Sequence, residues 1–442
     1  MYSKRINDFL KSAGIGIGDI VRIVSKEHTY EGELMPRSEA GDDNVVVIKL
    51  PNGYNVGISF EGARMEKIGS GERVHSFPKL ELKRGGSLPR VSLLYTGGTI
   101  GSKLDYKTGG VYMLLKPEEL FYEVPEISSI ADVEPINLMS IASEDMSPAE
   151  WRVIANAAEK AFEDGARGVV ITHGTDTMHY TSAALSFMLK DFRAPVVLTG
   201  AQRSSDRGSS DAFTNLIAST MMAAKSDIGE VGICMHNSPS DDLFSFIRGT
   251  RARKMHTSRR DAFRSINNSA IAYAKLDGRI EYKSEHKRAG RSDGAKAITG
   301  FETKVAIVKA YPGSAPDIID YYKDKKYKGL IIEGTGLGHT PVSTTHRGMS
   351  WLPNIKDAVE SGIVVGMTSQ CLYGRVNPNV YRNLRMLSGA GVIYCEDMLP
   401  ETAYVKLGWL LGNYKREEAS TLLNRNLVGE IKERSMVDEF LV

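Results

Sequence analysis

From residue 91 onward, short unbroken apolar runs alternate with longer segments whose apolar positions recur every three to four residues, the signature of strands and helices in turn. "VSLLY" (91–95), "GVVIT" (168–172), "APVVLT" (194–199) and "VGICM" (231–235) read as strands buried on both faces. Between them, "SPAEWRVIANAAEKAFEDG" predicts a helix, with Ser147 as its cap, Pro148 in the first turn and Glu150 where a capping box needs an acid. Tyr180, Ala183, Ala184, Phe187 and Met188 repeat at helical spacing. This alternation predicts a parallel sheet covered by helices. The polar stretch "EYKSEHKRAGRSDGAKA" interrupts it beyond residue 280, and "KVAIVKAY", "KGLIIEGTG", "SGIVVGMTSQ" and "AGVIYCED" begin a second series.

The first residues follow another rhythm. Val21–Val24, Tyr30–Met35, Val45–Leu50 and Asn55–Phe60 are short alternating runs broken by "SEAGDDN" and "PNGYN", and Asn52-Gly53 is a strong hairpin signal. A small all-β barrel of the Sm/SH3 kind is expected over 1–75. Glycine, serine, proline and charge without apolar period make 76–90 a linker. The remainder divides into a larger α/β domain (91–285), a linker (286–303) and a smaller α/β domain (304–442). A chain of 442 residues is too long for one ordinary core, which agrees with this partition.

Composition changes the picture little. A formal charge of +2 argues against a strongly basic nucleic-acid binder, and three widely spaced cysteines (Cys234, Cys371, Cys395) fit a reducing compartment. The start, "MYSKRINDFLKSAG", lacks the apolar core of a signal peptide, and no stretch approaches a membrane span, so a cytoplasmic protein is expected.

Parallel α/β sheets place ligands at the carboxyl ends of their strands. Three polar clusters stand there: "TGGT" (96–99), "SEDMS" (143–147) and "HGTDT" (173–177). An alcohol needs a positioned base and donors for the oxyanion it creates. Thr99 follows two glycines whose backbone offers such donors; Thr175 and Asp176 open the next helix and equally suit a capping role. The double glycine matches neither nucleotide-loop fingerprint. "RGTRARKMHTSRR" (248–260) holds six Lys/Arg and no acid, so it reads either as a source of a lysine for a Thr–Lys–Asp relay or as a solvated, RNA-facing basic loop. His173 and His179 lack metal-ligand spacing, and no G-x-S-x-G elbow occurs; no metal site is expected. "EGTGLGHTP" (333–341) and "TSQCLYGRVNPN" (368–379) are polar loops after strands, suited to a cleft or a subunit contact.

Taken together and in this order, Thr96-Gly97-Gly98-Thr99-Ile100, Ser143-Glu144-Asp145-Met146 and His173-Gly174-Thr175-Asp176-Thr177-Met178 resemble the bacterial-type L-asparaginase family. The resemblance covers 91–442 and implies an asparaginase-like pair of α/β domains. It implies Thr99 as acyl-accepting nucleophile, with Thr175, Asp176 and Lys254 as the rest of the catalytic set. Gly98, Ser143, Glu144 and Asp176 would bind substrate, and Glu144, where many members have Gln, leans the substrate toward glutamine. The family's active-site tyrosine falls at Tyr106 or Tyr112.

The extra β domain, "QCLYGRVNPNVY" and "EDMLPETAYVKLGWLLG" are similar to the asparaginase-like subunits of archaeal tRNA-dependent amidotransferases. That likeness implies a glutaminase supplying ammonia to a partner subunit, GatE, which converts Glu-tRNA(Gln) using ATP and Mg²⁺. It implies no cofactor in this chain, and a homodimer within a heterotetramer. The competing readings are a free cytoplasmic L-asparaginase and a non-catalytic RNA-binding scaffold.

Overall fold

The computed structural model describes residues 2–25, 28–36, 42–51, 55–70, 87–104, 111–113, 124–205, 209–292, 294–346, 348–437 and 440, with the side chains of 101–104 and 111–113 outside that description. A helix, Lys4–Ser12, precedes β1 (Asp19–Val24), β2 (Thr29–Leu34), β3 (Val45–Lys49), β4 (Asn55–Ser59) and β5 (Arg64–Ser70). These strands form one antiparallel sheet in the order β4-β3-β2-β1-β5. Ile6 and Leu10, one helical turn apart, bury against Val21, Ile23, Leu34 and Ile48. The all-β reading of this region therefore gains a helix, whose signal was the spacing of Ile6, Phe9 and Leu10.

The larger α/β unit contains β6 (Arg90–Gly97), the short pair β7 (Ser102–Leu104) and β8 (Val111–Met113), then β9 (Asp132–Ile141), β10 (Gly168–Thr172), β11 (Val196–Thr199), β12 (Val231–His236) and β13 (Phe244–Arg248). The hairpin β14 (Ala252–Lys254) and β15 (Phe263–Ser265) follows, then β16 (Ala272–Ala274) and β17 (Ile280–Tyr282). Eight strands share one sheet, ordered β17-β16-β13-β12-β11-β10-β6-β9. From β9 to β12 all neighbours are parallel. The three on the far side are antiparallel, so the sheet is mixed rather than purely parallel. β9 carries Pro135 and mostly half-buried residues, as an edge strand can, which hides it from a search for apolar runs.

The helix Pro148–Glu163 has the expected capping box: Ser147 N–H donates to Glu150 Oε2 at 2.9 Å and Ala149 N–H to Ser147 Oγ at 3.2 Å. The smaller α/β unit is a parallel sheet, β18 (Val305–Lys309), β19 (Gly329–Gly334), β20 (Val364–Ser369) and β21 (Ile393–Tyr394). Its last long helix, Pro400–Asn413, packs on the helix Met178–Met188 of the larger unit, with the Phe187 and Trp409 rings stacked 5.6 Å apart. One apolar cluster thus runs through both units, from Trp151 and Leu185 to Ile331 and Leu410. Among the described residues no helix is long and apolar enough to cross a membrane.

Candidate active site

Strands β9, β6 and β10 are adjacent and parallel, so the three polar clusters that follow them emerge side by side. Register explains the convergence: Thr172, the last residue of β10, lies opposite Tyr95 of β6. Thr96 Oγ1 then donates to the Thr172 carbonyl at 2.6 Å, a buried bond that ties the two strand ends together. Its hydroxyl is structural, as expected, although it spans two strands rather than closing its own turn.

Gly97 and Gly98 have φ of +110° and +86°, values glycine adopts without strain. A Cβ on Gly98 would lie 2.5 Å from Gly174 N, so the two loop backbones touch. Gly174 in turn abuts Ser143, whose Oγ lies 2.8 Å from where a Gly174 Cβ would sit. Thr177 Oγ1 closes this corner by donating to the Ser143 carbonyl at 2.5 Å. Thr99, half-buried, follows on a short turn of 3₁₀ helix, and Glu144 is exposed beside the buried Ser143.

Lys254 reaches this corner from β14. Its ammonium donates to Thr175 Oγ1 at 2.8 Å and to Asp176 Oδ1 at 2.7 Å. The Lys254 side chain is only 10% exposed and that of Asp176 70%, so the pair is open on the carboxylate side. The lysine, hydroxyl and carboxylate form a contiguous hydrogen-bonded set beside the double-glycine turn. Tyr106 lies outside the described residues; Tyr112 falls on β8, and its side chain also lies outside them.

Support from below was not read from the sequence. Burial pushes the His173 imidazole down to about 4, so it is neutral. Its Nδ1 faces the Gly174 carbonyl at 2.6 Å, an acceptor only, so Nδ1 carries the proton and Nε2 accepts from Thr181 Oγ1 at 2.8 Å. Trp151 Nε1 donates to the same hydroxyl at 3.0 Å. This buried chain anchors the peptide on which Gly98 rests. The His179 imidazole is pushed down to about 3, first by burial and then by the Arg253 and Lys254 charges.

The basic stretch is not an open cationic face. Each of its six cations has a carboxylate partner: Arg248 with Glu230 (2.7 Å), Arg251 with Asp397 (2.8 Å), Arg253 with Glu401, Lys254 with Asp176 (2.7 Å), Arg259 with Asp261 (2.8 Å) and Arg260 with Asp241. Among the described residues no group of three His, Cys, Asp or Glu is placed to hold a metal ion. A cavity of about 810 Å³ lies elsewhere, lined by Leu189, Glu230, Arg248, His286, Leu427 and Lys432, among others, and shares no residue with the constellation.

Known proteins carry the same domains in the same order. Residues 90–288 match the asparaginase N-terminal family model, 304–422 the glutaminase/asparaginase C-terminal domain, and 15–68 the GatD N-terminal domain. The chain is 51% identical to the glutamyl-tRNA(Gln) amidotransferase GatD protein of Pyrococcus furiosus, over 99% of this chain and 100% of that protein. The chain belongs to the GatD family of glutamyl-tRNA(Gln) amidotransferase subunits. The GatD protein of Methanothermobacter thermautotrophicus is 46% identical over 99% of both chains. Among solved structures, the thermostable L-asparaginase of Thermococcus kodakarensis superposes with a TM-score of 0.67 at 30% identity, covering 78% of this chain and all of that one. L-asparaginase I of Vibrio cholerae gives 0.68, also at 30% identity, with 78% of this chain and all of that one covered. The GatD family thus joins an asparaginase-like body to an N-terminal domain, the extra β-rich region expected from the sequence.

Proposed function

We propose that this chain hydrolyses glutamine as the ammonia-producing subunit of a glutamyl-tRNA(Gln) amidotransferase, in the cytoplasm. The observation that carries the reading is the Lys254 ammonium bridging the Thr175 hydroxyl and the Asp176 carboxylate beside the Gly97–Gly98 turn. Thr99 attacks the side-chain amide carbon of glutamine, and backbone amides of the Gly98 turn stabilise the oxyanion. The Thr175–Lys254–Asp176 relay accepts the Thr99 proton and passes one to the departing nitrogen, so it ends the step as it began. Ammonia leaves, and water hydrolyses the γ-glutamyl ester by the same route in reverse. Ser143 and Asp176 hold the α-carboxylate and α-amino groups, and Glu144 leans the site toward glutamine.

Ammonia then passes to the partner GatE, where ATP and Mg²⁺ serve the amidation of Glu-tRNA(Gln). The expected assembly is a homodimer of this chain within a heterotetramer, and this chain needs no cofactor of its own. The internal pairing of all six cations in 248–260 speaks against an RNA-binding scaffold. The test is glutamine turnover by Thr99→Ala and Lys254→Ala within the assembled enzyme. Each should lose about a thousandfold or more in kcat while remaining folded; wild-type turnover in Thr99→Ala overturns the nucleophile.

A further inference from the structure

Lys254 ends a strand whose two faces serve different domains. Side chains alternate along β14, so Arg253, and Arg251 just before the strand, fall on the side opposite Ala252 and Lys254. Lys254 points to Thr175 and Asp176 of its own domain. The arginines are held by the other domain instead.

Arg251 Nη1 donates to Asp397 Oδ2 at 2.8 Å and its Nε to the Gly429 carbonyl at 3.0 Å. Both members of the Arg251–Asp397 pair are 1% exposed. The other Asp397 oxygen accepts Lys432 N–H at 3.1 Å, which draws the C-terminal segment into the same joint. Arg253 pairs with Glu401, and Thr402 Oγ1 donates to the Thr250 carbonyl at 3.0 Å, both from the start of the helix Pro400–Asn413. On the returning side of the hairpin, Asn267 Nδ2 donates to the carbonyls of Gly374 (3.1 Å) and Asp397 (3.2 Å).

We propose that Arg251 and Asp397 are positioning residues, a latch by which the C-terminal domain fixes β14 and so holds the Lys254 ammonium between Thr175 and Asp176. The proposal rests on the relay reading of Lys254. A lysine head on a flexible four-carbon stem is placed only as well as the backbone beneath it. A buried ion pair is a poor device for stability alone, since apolar replacements of both partners are often neutral or better; here it fixes geometry.

The experiment compares glutamine kinetics and thermal unfolding of the full assembled enzyme carrying Arg251→Lys, the double change Arg251→Met with Asp397→Leu, and Lys254→Ala. For the double variant the latch predicts a melting temperature near that of the wild type. It also predicts kcat reduced about tenfold to a hundredfold, with KM within about threefold. Arg251→Lys keeps the charge and loses the fork, so its kcat should fall less, with an altered pH dependence of kcat. A joint that merely binds the domains together predicts activity that follows stability. Should the double variant not fold, Arg251→Lys carries the test. Wild-type kcat in either folded latch variant, with Lys254→Ala inactive, overturns the latch alone. Turnover in Lys254→Ala overturns the relay and the latch with it.

Discussion

Replacing Gly98 by alanine should damage stability and turnover together, and a second glycine separates the causes. At φ +86° an alanine incurs the left-handed penalty of about 1–2 kcal/mol. Its methyl would also sit 2.5 Å from Gly174 N and 2.6 Å from the His173 carbonyl carbon, both backbone atoms that cannot swing aside. Forcing such a fit costs a further ~1–3 kcal/mol, for a total of about 2–5 kcal/mol. Gly165, past the end of the helix Pro148–Glu163, has φ +90° and open space around it, so Gly165→Ala meets only the conformational part. Urea unfolding followed by the fluorescence of the buried Trp151, Trp351 and Trp409 measures both. Because relief of the clash must move Gly174 against Thr175, Gly98→Ala should also lose about a hundredfold in glutamine turnover, and Gly165→Ala almost none. Equal midpoints with full activity in Gly98→Ala would refute the close approach of the two loops.

Three further outcomes follow from buried groups. His173 titrates at about 4 when folded against 6.5 ordinarily, so below pH 6.5 the unfolded chain binds the extra proton. Stability attributable to it is complete above that pH and declines by about 1.4 kcal/mol per unit down to pH 4; His173→Gln should flatten the slope by that amount. Lys406 and Glu430 are paired at 2.7 Å with neither side chain exposed. Lys406→Met strands the carboxylate, which also accepts from Leu427 and Val428 N–H, and should cost about 3–5 kcal/mol in urea unfolding. Cys234 and Cys395 are buried, and burial pushes both thiols up to about 12, whereas Cys371 is exposed. A thiol reagent should titrate one cysteine in the native protein and three in urea.

The strands β6, β10, β11 and β12 were legible because parallel strands buried on both faces are continuous apolar runs. The capping box from Ser147 to Glu150 announced its helix in four residues. The antiparallel strands β13 to β17 were not legible, being short and set among turns and charges. At the site, the meeting of Thr175, Asp176 and Lys254 was expected through family resemblance, whereas spacing alone left the basic stretch open to a solvated reading. Lys254 is separated from Thr175 by 79 positions, and nothing local marks which of six cations turns inward. The same holds for Arg251 and Asp397, 146 positions apart, since an ion pair between domains leaves no periodicity in either. His173 was weighed only as a metal ligand; its use as a buried strut depends on Thr181 and Trp151, which reach it from two helices.

The most direct test of the account is ammonia release from glutamine and from asparagine, measured on this chain alone and then with its partner subunit and Glu-tRNA(Gln). The account predicts turnover of glutamine that appears or rises strongly when partner and tRNA are present. Brisk, partner-independent hydrolysis of asparagine would contradict it and make the chain a free asparaginase.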